Sequence, residues 1–405
     1  LKAVILAAGK GERLEPITHT RPKSFVPILG KPLIRIILEE IKNFVDNIII
    51  VISKDNEIYF KNLENIKLVY QPDDLRGTAA ALKAVSNYIK DEFLVIYGDI
   101  FTNYSKIISN IIKYKNNVIL GVKVKEIKDY GLLMYKNGEL IDIIEKPTDL
   151  KISSSEEFLV NGGIYKFDEE IFHYIDKIKM SSRGELELTD AISIMAKQSK
   201  ISILKYDDYW IDIGKPWNLM DANKLALEIY PHSLIRGDVE EFVKIKGKVI
   251  IEEGARIKSG TYIEGPCYIA ENTEVGPNAY IRPFSIIGKN SRIGASVEVK
   301  ESIIMENVRI SHLSYVGDSI IGEGTNFGAG TITANLRFDK AEVKVNIKGE
   351  KVSSGRSKLG AIVGGYVQTG IHVSIMPGIK IGAYAIIYPG VVVKRDVKYG
   401  EIVKV

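Results

Sequence analysis

The sequence predicts an α/β chain in two parts: an N-terminal sandwich with a mixed, mostly parallel sheet, followed by a parallel β-helix. Three observations carry this. Residues 1 to about 225 alternate short apolar runs with helix-period stretches, the pattern of a parallel sheet covered by helices. From about residue 246 aliphatic side chains return every six positions, a period that neither a helix nor a lone strand has. At 405 residues the chain is also too long for one ordinary core, so two or three domains are expected.

Taken in order, KAVILA (2 to 7), NIIIVIS (47 to 53), IKLVYQ (66 to 71), EFLVIYG (92 to 98) and NVILGVKV (117 to 124) are β-rich and nearly uncharged. Strands buried on both faces read this way. PLIRIILEEIKNF and GTAAALKAVSNYIK lie between them and place apolar residues at helical spacing. GLLMYKNGELIDIIEKP predicts a hairpin, because Asn137-Gly138 can supply the positive φ angles of a tight turn.

The second part begins where Ile251, Ile257, Ile263, Ile269, Val275, Ile281, Ile287, Ile293 and Val299 stand six apart without a miss. Four positions after each of the first eight come Ala255, Thr261, Cys267, Thr273, Ala279, Ser285, Ser291 and Val297, small enough for a tight corner. A triangular parallel β-helix accounts for both, with the aliphatics stacked coil on coil. The phase returns as Val363, Thr369, Ile375, Ile381, Ile387 and Val393. Between the two runs, residues 336 to 358 are polar and basic and predict an arm leaving the coil. The domain reading is therefore 1–225, a linker over 226–246, and the β-helix over 247–405.

Composition narrows the function. An apolar fraction of 45% and a charged fraction of 26% describe a globular chain rather than a disordered one. Fifty-five basic against 51 acidic residues leave +4 with no basic tract, which argues against nucleic acid as the partner. No apolar run approaches the roughly 18 residues of a membrane span. Cys267, the single cysteine, rules out an internal disulfide, fits a reducing cytoplasm and reads as an inward-facing core residue.

Chemistry is first legible just after the first strand, in GKGERLEPITHTRPK. Gly9 and Gly11 let backbone amides approach an anion, and Arg13 and Lys23 add fixed positive charge suited to a polyphosphate. The loop is not a Rossmann fingerprint, since Leu14 takes the third glycine's place, and not a Walker loop, since no G-K-[ST] follows.

Its extension says more. LAAGKGERLEPITHTRPK, VPILGKP, QPDDLRGTAAAL, YGDI, DYG, IIEKP, NGGIY and YWIDIG, in this order, resemble the sugar-1-phosphate nucleotidylyltransferases over the whole N-terminal part. The likeness is greatest to glucose-1-phosphate thymidylyltransferases and N-acetylglucosamine-1-phosphate uridylyltransferases. It implies a Rossmann-like nucleotidyltransferase domain in which a sugar phosphate oxygen attacks the α-phosphate of dTTP or UTP and expels pyrophosphate. Such chemistry needs positioning and charge stabilisation rather than a nucleophilic side chain. By resemblance, Leu6, Gly9, Gly11, Gln71, Gly77 and Thr78 bind nucleotide, with Arg13 and Lys23 at the reacting phosphates. Asp99 and Asp212 are implied as Mg²⁺ ligands, and carboxylate oxygens suit that hard ion. Gly131, Glu145, Lys146 and Asn161 would receive the sugar phosphate. Glu12 stands where Ser or Thr is frequent, and Arg76 where many relatives have Leu.

The β-helix raises a second question at ISHLSYVGDSIIGEGTNFGAGTITANL, where the phase slips and His312 appears. This stretch resembles the acetyltransferase domain of the bifunctional uridylyltransferases, a left-handed β-helix of hexapeptide repeats. Acetylation of an amino-sugar 1-phosphate, glucosamine-1-phosphate or galactosamine-1-phosphate, by acetyl-CoA needs a base near neutrality, for which histidine is the usual side chain. The resemblance implies His312 as that base, with Tyr315, Asn326, Asn335, Lys340 and Lys344 around the sugar phosphate. It also implies a homotrimer with CoA along the coils between Gly370 and Tyr388, although Ile371 and Tyr388 replace the familiar serine and alanine contacts. Two alternatives stay open: a monofunctional nucleotidylyltransferase whose β-helix only assembles oligomers, and a non-enzymatic interaction protein like the exchange subunits of translation initiation factors. Retention of Lys23, Asp99, Lys146 and Asp212 speaks against the latter.

Overall fold

The protein is described by a computed structural model covering residues 1–124, 127–147 and 158–404. It forms two compact units. The first comprises Leu1–Lys10, Pro22–Phe25 and Leu33–Asp212; the second comprises Gly11–Arg21, Val26–Pro32 and Ile213–Val405.

The first unit is built on a nine-stranded mixed sheet. Its strands are β1 (Lys2–Leu6), β2 (Asn47–Ile52), β3 (Ile66–Tyr70), β4 (Phe93–Tyr97), β5 (Asn117–Val124), β6 (Gly131–Lys136), β7 (Glu139–Glu145), β8 (Phe158–Phe167) and β9 (Ile201–Tyr206). They lie in the order β3-β2-β1-β4-β8-β5-β9-β7-β6. β1 runs parallel to β2 and β4, and β3 parallel to β2, so the first four apolar runs of the sequence pair side by side. Ala3, Val4 and Ile5 are fully buried, as a central strand covered on both faces requires. β8 runs antiparallel between β4 and β5. Its composition hides it: Asn161, Gly162 and Gly163 interrupt the β signal, and its register shifts between Asn161 and Tyr165. The hairpin of β6 and β7 turns at Asn137 and Gly138 with φ of 52° and 80°, the two positive angles its sequence predicts.

The second unit contains a left-handed parallel β-helix with three faces. The first face begins with Leu234–Ile235, the second with Asp238–Val239 and the third with Lys244–Lys246. Residues 226–246, predicted as a linker, therefore hold the end of the helix Pro216–Ile229 and the first coil. The phase of six runs back from Ile251 through Ile245 and Val239, so that coil is written in the same repeat as the later ones. All nine six-spaced aliphatics from Ile251 to Val299 are fully buried, and the small residues beside them are at most 2% exposed. Corners explain the second series. Asn272, Asn278, Phe284, Asn290 and Ser296 each take φ between 53° and 62° immediately before a small inward residue. A side chain with its own hydrogen-bonding atoms tolerates this left-handed turn best, and asparagine fills three of the five. Thr273, Ser285 and Ser291 donate hydroxyl bonds to Gly288, Val299 and Met305 carbonyls at 3.0, 3.1 and 3.0 Å, so these three buried corners keep their hydroxyls paired.

Coil length is not constant, which accounts for the slipped phase. Ile250 pairs with Tyr268, eighteen residues on, but Ile286 pairs with Ile303 and Ile303 with Ile320, each seventeen on. The residue is lost both times at the corner leading from the third face to the first, at Glu301 and Asp318. On the next coil the arm departs from that same corner, so Ile320 pairs with Ile362. Within the arm, Lys344–Ile347 and Glu350–Ser353 form an antiparallel hairpin.

Candidate active sites

In the first unit, chain geometry brings Lys23 and two carboxylates together. Asp99 occupies the turn after β4, ahead of the strand Ile100–Thr102. That strand pairs antiparallel with Trp210–Asp212, placing Asp212 opposite Ile100 and one residue from Asp99. Lys23 Nζ lies 2.5 Å from Asp99 Oδ2 and 3.6 Å from Asp212 Oδ1. All three side chains are less than a third exposed. The ammonium thus marks a spot where two carboxylates jointly face a cation. Among the described residues no cluster of three or more His, Cys, Asp or Glu side chains could hold a metal. Two carboxylates are nevertheless sufficient for Mg²⁺, which keeps waters and takes substrate phosphates as its remaining ligands.

A second convergence lies where β6 meets β7. Gly131 stands opposite Glu145, and a Cβ on Gly131 would come within 3.0 Å of Glu145 Oε2 and 3.7 Å of Asn161 Cβ. Asn161 Oδ1 accepts hydrogen bonds from the Tyr165 hydroxyl at 2.8 Å and Gly163 N at 3.1 Å, which fixes the amide's orientation. Lys146 has φ of 44° and its backbone N donates to Tyr130 O at 3.1 Å. Arg183, which sequence reading passes over, reaches within 3.7 Å of Glu145 and 2.8 Å of Glu187. Burial raises the Glu187 carboxyl above its ordinary pKa while Arg183 opposes the rise.

The nucleotide-loop residues are placed as follows. Leu6 ends β1, and a Cβ on Gly9 would meet nothing within 4 Å, so its backbone stays open to approach. Gly11 adopts φ 70°, ψ 25° and starts the short turn Glu12–Leu14 that carries Arg13. Gln71 N donates to Ile52 O, and its side-chain amide donates to Leu75 O at 2.6 Å. Gly77 and Thr78 have packing duties. Gly77 has φ 104° and a Cβ there would lie 2.3 Å from Leu186 O, while Thr78 Oγ1 accepts from Leu188 N at 3.0 Å.

On the β-helix, the structure joins some of the implied residues and separates others. Asn335 Nδ2 donates to the Tyr315 hydroxyl at 3.1 Å and to the Asp318 carboxylate. Lys300 Nζ sits 2.9 Å from both oxygens of Asp318, completing a four-residue network at the corner that loses its residue. Burial, with the Asp318 charge behind it, raises the Tyr315 pKa and keeps its hydroxyl a neutral donor and acceptor. His312 ends the strand Arg309–His312 at a different corner, from the second face to the third, with its side chain exposed. Asn326 stands on the second face between Arg309 and Gln368. Lys340 lies in a turn of the arm and Lys344 opens its hairpin, both exposed. Among the described residues no hydrogen bond or ion pair joins these four side chains to the network. Lys300 and Asp318 are the residues sequence reading misses. The signal for them was available in the seventeen-residue spacing that puts Lys300 beside Gly317. Ile371 and Tyr388, at the positions expected to meet CoA, are 52% and 44% exposed on later coils.

Comparison with known proteins fits both units. Residues 2–229 match the family model described as Nucleotidyl transferase, and residues 263–370 match the GMPPB C-terminal domain. A bifunctional sugar-1-phosphate nucleotidylyltransferase/acetyltransferase of Sulfurisphaera tokodaii is 59% identical over 408 residues, covering 100% of both chains. The chain belongs to the bifunctional sugar-1-phosphate nucleotidylyltransferase/acetyltransferase family. Its members include the bifunctional protein GlmU of Methanocaldococcus jannaschii, 47% identical over 100% of this chain and 97% of that one. A GlmU from Nitratiruptor sp. matches at 29% over 98% and 94%. Membership makes the chain a transferase with two activities, and the non-enzymatic alternative falls. No helix among the described residues is long and apolar enough to cross a membrane.

Proposed function

We propose that the site around Lys23, Asp99 and Asp212 transfers a nucleotidyl group from UTP or dTTP to glucose-1-phosphate or N-acetylglucosamine-1-phosphate. The observation that carries the reading is Lys23 set between Asp99 and Asp212. The sugar phosphate oxygen forms a bond to the α-phosphorus while the bond to the pyrophosphate oxygen breaks. Lys23 and Arg13 offset the charge gathered on the phosphates, and the amides at Gly9 and Gly11 add hydrogen bonds to it. Asp99 and Asp212 would hold Mg²⁺, which when bound supplies further positive charge to the triphosphate. Gly131, Glu145, Lys146 and Asn161 seat the sugar phosphate, and Arg183 adds a cation near Glu145. Products are nucleotide sugars of the UDP-N-acetylglucosamine or dTDP-glucose kind. The test is pyrophosphate release across UTP, dTTP and both sugar phosphates with and without Mg²⁺. Turnover that ignores Mg²⁺, or an Asp99→Ala variant at full rate, removes the assignment.

The β-helix site acetylates the amine of glucosamine-1-phosphate or galactosamine-1-phosphate. The amine nitrogen bonds to the thioester carbonyl carbon, the C–S bond breaks, and the amine proton passes through His312 to the departing CoA thiolate. The Lys300–Asp318–Asn335–Tyr315 network supports this, as a polar, charged corner suited to a sugar phosphate. Asn326, Lys340 and Lys344 complete the contacts, and the assembly is a homotrimer. Free thiol released from acetyl-CoA in the presence of the amino sugar is the readout. Equal release by His312→Ala would sink the claim.

A further inference from the structure

Residues Gly11–Arg21, which follow the glycine of the triphosphate loop and carry Arg13, belong to the second compact unit. How they are held there is unusual for a surface loop. The Arg21 guanidinium, 9% exposed, lies 2.7 Å from Glu306 Oε1 and 2.9 Å from Glu323 Oε2. These glutamates stand one above the other on successive coils of the β-helix. Burial works against the charge, yet the two carboxylates together hold the Arg21 pKa above its ordinary value. On the following coil the stack is cut away at Gly364-Gly365. A Cβ at Gly365 would lie 2.9 Å from both Thr20 Oγ1 and Glu323 Cδ, and one at Gly364 would lie 3.1 Å from Pro16 O. Beyond the notch, Ala383 N donates to His19 Nδ1 at 3.3 Å, and the His19 ring packs edge-on to Tyr399 at 5.5 Å. Thr18 Oγ1 closes the segment by donating to Gly11 O at 2.9 Å.

Three successive coils are thus shaped to one segment: charge on two, and missing side chains on the third. We propose that this clamp makes Arg21 a positioning residue for nucleotidylyl transfer, with Glu306, Glu323 and the Gly364-Gly365 notch as its seat on the β-helix. The inference rests on the reading of Gly9, Gly11 and Arg13 as the triphosphate cradle. A buried guanidinium whose Nη2 lies between two carboxylates fixes the position of the chain leaving that cradle. Arg13 sits within the clamped segment itself, so a shift of the clamp moves a group that meets the phosphates.

The test uses the full-length protein with two alterations remote from the reacting groups: the double variant Glu306→Gln with Glu323→Gln, and Gly365→Ala. Misplacement on the ångström scale costs about 10- to 100-fold in nucleotidylyl kcat/KM. The expected loss falls mainly in KM for the nucleoside triphosphate, with thiol release from acetyl-CoA at the wild-type rate. Hydrogen exchange in peptides covering residues 11–21 should quicken in both variants, a measurement that needs no substrate. Unchanged nucleotidylyl constants in both variants, or unchanged exchange, overturns the clamp. Parallel loss of both activities also overturns it, because that marks a general structural role. If the wild type releases no pyrophosphate from any substrate pair while exchange responds, the cradle reading is what fails, and Arg21 loses its role in catalysis with it.

Discussion

Lys23 between Asp99 and Asp212 is the sharpest test at the scale of a residue, because all three residues serve one proposed step. Replacing Lys23 by Met removes a charge that acts on the transition state, so nucleotidylyl kcat should fall about 10²- to 10³-fold. Acetyl transfer, measured on the same preparation, should be unchanged. Lys300→Met gives the converse experiment: KM for the amino-sugar phosphate should rise about tenfold or more, the size of a lost charged hydrogen bond, with pyrophosphate release intact. Cys267 provides a third. Burial pushes its thiol up to about 12, so at pH 8 only about one part in ten thousand is thiolate. Ellman's reagent should therefore find no reactive thiol in the native protein and one per chain in denaturant. A reactive native thiol would contradict its place in the stacked core. Of these residues, Lys23 and Cys267 are recognisable in the sequence, one by its motif and one by its phase in the repeat. Lys300 is not, because a lysine in VEVKES looks like any solvated one until the coils are stacked.

At the scale of an element, the coil is the unit of stability. Each turn of the β-helix buries its aliphatics only against the turns above and below, so damage to one is felt by its neighbours. Ile287→Ala should cost about 2–5 kcal/mol, the range for truncating a fully buried aliphatic. Ser291 tests the corners instead. Its hydroxyl donates to Met305 O and accepts from Val308 N at 3.1 Å, so Ser291→Ala leaves a buried amide unpaired. The expected cost is about 1–3 kcal/mol, read as a lower denaturant midpoint. Periodicity made these coils legible. The first coil at 234–246 keeps that phase at Val239 and Ile245, but periodicity did not reveal β8, where two glycines and an asparagine mask a ten-residue strand.

At the scale of the whole molecule, assembly is the open quantity that exposed surface bears on. Ile332 and Val392 on the third face, and Ile386 and Ile402 on the second, are between 37% and 54% exposed while neighbouring outward positions are polar or charged. Ile386 and Ile402 are stacked neighbours while Ser374 separates Ile332 from Val392, and the proposed homotrimer would cover these aliphatics. Sedimentation should give a mass of three chains, and Val392→Asp should shift the population toward monomer. If acetyl transfer also falls in that variant while pyrophosphate release holds, His312 and Asn326 act with groups from another copy. A wild type that sediments as a monomer removes the trimer.

The sequence by itself determined the two architectures, the inward stack, the hairpin at Asn137-Gly138 and the order of the nucleotidylyltransferase motifs. Each is written in near neighbours, whether a period of six, an alternation or a short motif, and needs no knowledge of distant contacts. Tertiary structure decided what meets across large separations. It placed Asp212 beside Asp99, Asn335 and Lys300 on Asp318, and Arg21 on two glutamates far along the chain. These depend on strand pairing and on coils of unequal length. One residue dropped at a corner changes the spacing of stacked partners from eighteen to seventeen, and only the folded stack fixes which residues then meet.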